Sequence, residues 1–256
     1  MNGSIKSILF YPDLPHPRTI IGKLCDSLSI EVTNIRKTEH TVCFKWRDHT
    51  AHTFTEVERG SLGGLKIFNE KCVDISKRRI HEVHEGVMGY PLEVDPRAWR
   101  GPMVVKSNRN AAHDGSVVEG PIDVPCADKV YSRVIDNVEG SEVVDFRAVV
   151  IGGKLELVYV KRRPRETRFS NRNSSVSFCS PEVLFSKEEL IKILAFAEAL
   201  GLDCGELDVL RDKESRLLYI VDAANTPYGP PNGLPQTDQE KVLGLLSTAF
   251  GNLLNS

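Results

Sequence analysis

Two adjacent glycines, Gly152 and Gly153, separate two apolar-rich runs, VVDFRAVVI at 143–151 and LELVYVK at 155–161. No other stretch constrains the fold so tightly. A tight turn needs positive φ, which glycine adopts without steric cost, so the two runs are expected to pair as an antiparallel hairpin. Side chains alternate between the faces of a strand. Asp145 and Arg147 therefore share one face of the first arm, with Phe146 and Ala148 on the other.

A second hairpin is expected from 204–210 and 216–222, around a turn at 211–215. Further strands are expected at 7–11, 30–32, 41–46, 52–55, 90–94, 103–106 and 129–135. Ile20, Ile21, Leu24 and Leu28 mark a helix after a proline-rich turn. Ser76 can cap a helix carrying Ile80, Val83 and Val87, which ends at Gly86 or Gly89. The helix at 187–200 has a capping box of Ser186 and Glu189, a buried stripe through Leu190, Ile193, Leu194 and Ala197, and Gly201 as its stop. Thr237 and Glu240 are expected to box a final helix bearing Val242, Leu246 and Phe250. Glycines at 60–64 break the pattern. Residues 107–120 read as a polar loop in which Val117 and Val118 are the only apolar pair. Strands and helices in mixed order indicate α+β layers rather than a doubly wound sheet.

Hydrophobic residues make up 41% of the 256, enough for a sizeable core, and the formal net charge is -2. Basic residues are dispersed except at 161–172, where Lys161, Arg162, Arg163, Arg165, Arg168 and Arg172 face only Glu166. That segment suits a local anion site, not a nucleic-acid tail. No apolar run is long enough to span a bilayer, and no secretory signal is expected at the start. Six cysteines without a CxxC pair fit a reducing, cytoplasmic setting. A homo-oligomer is compatible with the sequence.

Three carboxylates stand out. Glu206 and Asp208 lie two apart on one strand face, and Asp222 ends the partner strand with Asn225 just beyond. Neighbouring strands run about 4.8 Å apart, so such carboxylates converge on one or two hard cations, of which magnesium also takes phosphate oxygens. Lys106 ends an apolar strand beside the small-residue loop, and Lys77 starts a helix; both positions suit phosphate held by point charges. There is no GxxxxGK[ST], no GxGxxG and no GxSxG. His81, His84 and Glu85 form an HxxHE run expected to be a solvated helix face, and Cys204 is expected in the core.

Taken in order, the segments VVK ending at Lys106, VVDFRAVVIGGKLELVYVKRRP (143–164), RFSNRN (168–173), GLDCGELDVLRD (201–212) and IVDAANTPYGPP (220–231) resemble the ATP-grasp superfamily. The resemblance implies an ATP-grasp fold of two α+β subdomains over 74–256, preceded by a reduced β-α-β lobe over 1–73. It implies that Lys77 and Lys106 contact ATP phosphates beneath a flexible cover at 107–120. Arg133 and Ile135 would line adenine. Asp145 and Arg147 match the D-x-R element that serves the sugar and phosphate region. Arg162 or Arg163 would face the transferred phosphate, and Asn171 matches the polar loop that follows. Asp208 and Asp222 would ligate magnesium. The sequence departs from the family at Ala224, where a metal-ligating Asn is usual, leaving Asn225 displaced by one, and the loop after Asn171 lacks paired glycines.

The resemblance implies a ligase that uses Mg-ATP to activate a small-molecule or peptide carboxylate as an acyl phosphate for an amine or thiol acceptor. A kinase on the same fold and a non-catalytic ATP-binding protein are the alternatives, the latter favoured by Ala224.

Overall fold

The computed structural model describes residues 5–170 and 172–255. The chain begins with β1 (Ser7–Pro12), α1 (Ile20–Ser27), β2 (Glu31–Thr33), β3 (Val42–Trp46), α2 (Glu56–Ser61) and β4 (Lys66–Phe68). Its four strands form a parallel sheet in the order β2-β1-β3-β4. Ile8, Leu9, Phe10, Cys43 and Phe44 are fully buried, the continuous apolar pattern of strands covered on both faces.

Next come α3 (Lys77–Met88), β5 (Gly101–Ser107), β6 (Ser116–Gly120) and β7 (Lys129–Arg133), the strands pairing antiparallel in the order β6-β5-β7. The remaining strands are β8 (Val138–Glu139), β9 (Glu142–Ile151), β10 (Lys154–Pro164), β11 (Ser175–Cys179), β12 (Cys204–Arg211) and β13 (Leu218–Ala224). They build a sheet ordered β11-β10-β9-β12-β13, with β8 on β9. Helices α4 (Pro181–Leu184), α5 (Lys187–Leu200) and α6 (Gln236–Leu254) complete the chain. No helix among the described residues is long and apolar enough to cross a membrane.

Alternation along the large sheet decides where a cleft can form. One face, with Phe146, Ala148 and Val150 of β9 and Leu207 and Val209 of β12, packs on Ile80 and Val83 of α3 and on Ile193 and Phe196 of α5. The other face is split along its length. Val149, Ile151, Leu157 and Cys204 lie beneath Val242, Leu246 and Phe250 of α6, which also covers the parallel sheet. Continuing two residues at a time, the same face turns ionic, with Asp145 and Arg147 on β9, Lys161 and Arg163 on β10, and Glu206 and Asp208 on β12. Charge on this half keeps it from being sealed by an apolar layer.

Both expected hairpins form, and α5 matches its expected span, with its Ser186–Glu189 box and left-handed Gly201 in place. The helix after Ser76 ends at Gly89, also left-handed. Other expectations are corrected. Residues 52–55 are not a strand; Thr55 instead caps α2 through a capping box with Glu58. Residues 90–94 contribute a single bridge, Glu93 to Ser132, rather than a strand. The cover at 107–120 contains β6, paired along β5. The final helix starts after Pro235 without a side-chain cap, so the Thr237–Glu240 box is not used. β11 and α4 were not foreseen. His81 and His84 are buried against the sheet rather than solvated, while Glu82 and Glu85 of that run are exposed.

Candidate active site

A cleft of ≈ 700 Å³ lies between the β5–β7 sheet and the charged half of the large sheet. The loop after β13 closes one end of it. Its character changes along β12. At one end Leu92, Ile135 and Leu210 make an apolar wall, and Leu210 stands opposite Tyr219. In the middle Asp208 stands opposite Asp222. At the far end Glu206 stands opposite Ala224, beside Thr226 and the Pro-Gly-rich turn.

The register brings the middle residues into one row: Asp222, Asp208, Arg147 and Tyr159, on four successive strands. Arg147 grips Asp208 with two hydrogen bonds, Nε to Oδ1 at 2.8 Å and Nη2 to Oδ2 at 3.1 Å. Lys161 Nζ donates to the same Oδ1 at 3.0 Å. Burial alone would raise the Asp208 carboxyl, but Arg147 and Lys161 hold it far below the usual carboxylate range. Burial also lowers Lys161. Diagonally across the next two rows, Arg163 Nη2 donates to Asp145 Oδ2 at 2.5 Å, and its Nη1 donates to the carbonyls of Arg168 and Ser170. Burial raises Asp145, while Arg163 opposes the shift.

Lysines reach in from the opposite wall. Lys77, buried at the start of α3, donates to Asp222 Oδ1 at 2.5 Å. Lys106 donates to the Val221 carbonyl at 3.3 Å, and burial pulls its pKa down to about 8 against the pull of Asp222. Arg133 donates to the Tyr219 hydroxyl at 3.2 Å and lies over the Trp99 ring.

Glu206 is the unusual member. It is 2% exposed, and neither carboxylate oxygen has a hydrogen-bond partner among the described residues. Arg147 Nη1 approaches to 3.4 Å, an ion pair without a hydrogen bond. Burial pushes its pKa up to about 7.

Of the residues expected from sequence, Lys77, Lys106, Arg133, Ile135, Asp145, Arg147, Arg163, Asp208 and Asp222 all line the cleft. Arg162 does not. Alternation turns it to the opposite side of β10 from Lys161 and Arg163, where it pairs with Glu139 at 2.8 Å. Asn225 does not line it either; its carbonyl accepts from Asn69 Nδ2 at 3.5 Å, and its own Oδ1 is buried away from the cleft. Asn171 lies outside the described residues. Lys161 was read only as part of a basic run, although its pairing position opposite Asp145 makes it a cleft residue. Arg168 was likewise unassigned; it donates to the Ile135 carbonyl and to Asn137 Oδ1, bracing the apolar end.

Among the described residues, no three His, Cys, Asp or Glu side chains form a closed metal cage. Two opposed aspartates amid Lys77, Lys106, Lys161, Arg147 and Arg163 instead fit a magnesium ion shared with a polyphosphate, because magnesium takes one or two carboxylates and completes its shell with phosphate and water.

The chain aligns in space with the ATP-grasp ligase PsnB, solved with a phosphomimetic minimal precursor, Mg and ADP, at a TM-score of 0.63 over 97% of this chain and 98% of that one. This chain has the ATP-grasp fold. Sequence identity in that ATP-grasp pair is only 11%. An L-amino acid ligase from Bacillus licheniformis matches at TM-score 0.55 and 12% identity, covering 97% of this chain and 74% of its own. The VanG D-Ala:D-Ser ligase from Enterococcus faecalis matches at 0.52 and 12%, covering 85% and 74%. No family model matches the sequence, and no curated protein matches it.

Proposed function

We propose that the cleft binds Mg-ATP and that the protein is an ATP-dependent ligase that activates a carboxylate. The observation that carries this reading is the pair Asp208 and Asp222, directly opposed on β12 and β13 and met by Lys77 and Lys106 from the facing wall. ATP-grasp structures solved with ADP, AMPPNP and Mg support it.

In this reading the apolar end with Ile135 and Leu92 receives the base, and Arg133 flanks it. Lys77, Lys106, Lys161, Arg147 and Arg163 offset the charge of the polyphosphate. Magnesium, held by Asp208 and Asp222, supplies charge stabilisation for phosphoryl transfer. The substrate carboxylate attacks the γ-phosphorus, the bond to ADP breaks, and an acyl phosphate forms. An amine or thiol then attacks the carbonyl carbon as the C–O bond to phosphate breaks. For an ammonium acceptor, one proton stays on the amide nitrogen, one leaves with phosphate and one is released. Residues 107–120 exclude the water that would hydrolyse the acyl phosphate. Residues 1–73 form the lobe preceding the ATP-grasp domain and, with the loop after β13, border the acceptor end.

A carboxylate panel incubated with Mg-ATP and hydroxylamine tests the reading. Hydroxamate and ADP in equal amounts support it. A phosphate ester of a hydroxylated substrate establishes the kinase alternative, and ADP binding without turnover on any substrate establishes the non-catalytic one, which Ala224 favours.

A further inference from the structure

We propose that Glu206 receives the ammonium group of the acceptor, so that the nucleophile of this ligase is an amine and not a thiol. The inference rests on the ligase reading above and names the acceptor class that reading leaves open.

The position is decided by register. Leu210, Asp208 and Glu206 follow one another on the cleft face of β12, opposite Tyr219, Asp222 and Ala224. The polyphosphate region lies in the middle, at Asp208 and Asp222. Glu206 is therefore one step beyond it, on the side away from the apolar wall. There the turn after β13 closes over the carboxylate, and a Cβ placed on Gly229 would come within 3.7 Å of Glu206 Oε1.

The chemistry at this spot is incomplete in one direction. Glu206 is 2% exposed with both oxygens unpartnered, and the hydroxyl of Tyr159, in the next row, is also buried without a partner. Arg147 has a single guanidinium to share, and its two hydrogen bonds go to Asp208. A buried carboxylate with unused acceptor capacity is costly unless a donor fills it. A primary ammonium brings three donors and one positive charge on a small head, enough to satisfy both Glu206 oxygens. A thiol brings one weak donor and no charge, and leaves Glu206 short of hydrogen bonds, with only the Arg147 ion pair at 3.4 Å beside it. Arg18, Lys23 and Asp48 of the preceding segment also line the cleft, and Glu206, at 2% exposure, is more buried than the Arg147 side chain that approaches it.

Methylammonium chloride is the probe, titrated into the full-length protein loaded with ADP and Mg, with potassium chloride and methanol as charge and shape controls. The variants are Glu206→Gln, which keeps the shape, and Glu206→Asp, which keeps the charge. Mn²⁺ affinity in the presence of ADP, read by electron paramagnetic resonance, reports on the metal position in each. The expected result is saturable methylammonium binding that weakens at least about tenfold in Glu206→Gln and less in Glu206→Asp. ADP and Mn²⁺ affinities should stay within about twofold of wild type. Methylammonium binding that is equal in wild type and Glu206→Gln overturns the inference. So does a tenfold loss of Mn²⁺ affinity in Glu206→Gln, which assigns the carboxylate to the metal. ADP binding without Glu206-dependent methylammonium binding sinks this inference alone; no ADP binding by the wild type sinks the ligase reading and this inference together.

Discussion

Asp208 and Asp222 face each other across β12 and β13, and each is held by cations from a different element: Asp208 by Arg147 and Lys161 of its own sheet, Asp222 by Lys77 of α3. The acids thus neutralise the groups assigned to phosphate. In the proposed complex a polyphosphate with magnesium would exchange those partners charge for charge, the metal taking the acids and the phosphates taking the cations.

Replacing Asp208 breaks a half-buried pair and leaves buried Lys161 without its carboxylate partner. Asp208→Ala is expected to lower unfolding free energy by about 3–5 kcal/mol, read from urea unfolding at pH 7. Asp222→Ala, whose partner Lys77 can also donate to Asn110, is expected to cost less.

In the proposed site, Lys106 would set a pH limit on nucleotide binding. Burial lowers its pKa to about 8, so the ammonium that the proposal assigns to phosphate is lost as pH rises through that value. ADP affinity is expected to fall above pH 8, by at most about tenfold per unit, and Lys106→Arg should hold it level to pH 10. The stability effect has the opposite sign. Between pH 8 and the unfolded value of 10.5 the unfolded chain binds more protons, so this residue makes stability rise with pH, and Lys106→Met should remove that rise.

Arg162 and Arg163 are neighbours with opposite fates. Arg162→Ala removes a partly exposed ion pair and should change stability by less than about 1 kcal/mol, with ADP affinity unaltered. Arg163→Ala strands buried Asp145 and frees two carbonyls of the 168–170 turn, at a cost of about 3–5 kcal/mol. Parallel urea and ADP titrations of the two variants check the contrast.

Asn69 joins the parallel sheet to the start of β12. Its Oδ1 accepts from the Asp203 and Cys204 amides at 2.8 and 2.9 Å, and its Nδ2 donates to the Cys204 carbonyl at 2.8 Å. Its backbone φ of 57° is left-handed, which asparagine tolerates better than alanine. Asn69→Ala is expected to cost about 2–4 kcal/mol, and Asn69→Asp no less, because it loses the Nδ2 donor and buries a carboxylate against the Cys204 carbonyl.

Local signals explain what was legible in the sequence. The α5 span is fixed by a capping box at one end and a glycine at the other, and neither depends on distant residues. The β9–β10 turn is equally local. The faces of β10 are not. Counting straight from Gly152-Gly153 pairs Asp145 with Val160 and turns Arg162 toward the cleft. A bulge between Leu155 and Leu157 shifts the register by one, pairs Asp145 with Lys161 and puts Lys161 and Arg163 in the cleft instead. β6 escaped because an edge strand with a single apolar pair carries little pattern. The burial of His81 and His84 follows from α3 packing on β13, a tertiary contact that composition does not encode. Asn225 falls outside the cleft because the chain turns toward Asn69 directly after β13.

Calorimetric titration of ADP with magnesium and with a chelator, on wild type and on Asp208→Asn with Asp222→Asn, tests the metal-phosphate site most directly. Magnesium is expected to tighten ADP binding at least about tenfold in the wild type and to have no effect in the double variant. Equal ADP affinity with and without magnesium, or a magnesium effect that survives both substitutions, would contradict the assignment of this cleft.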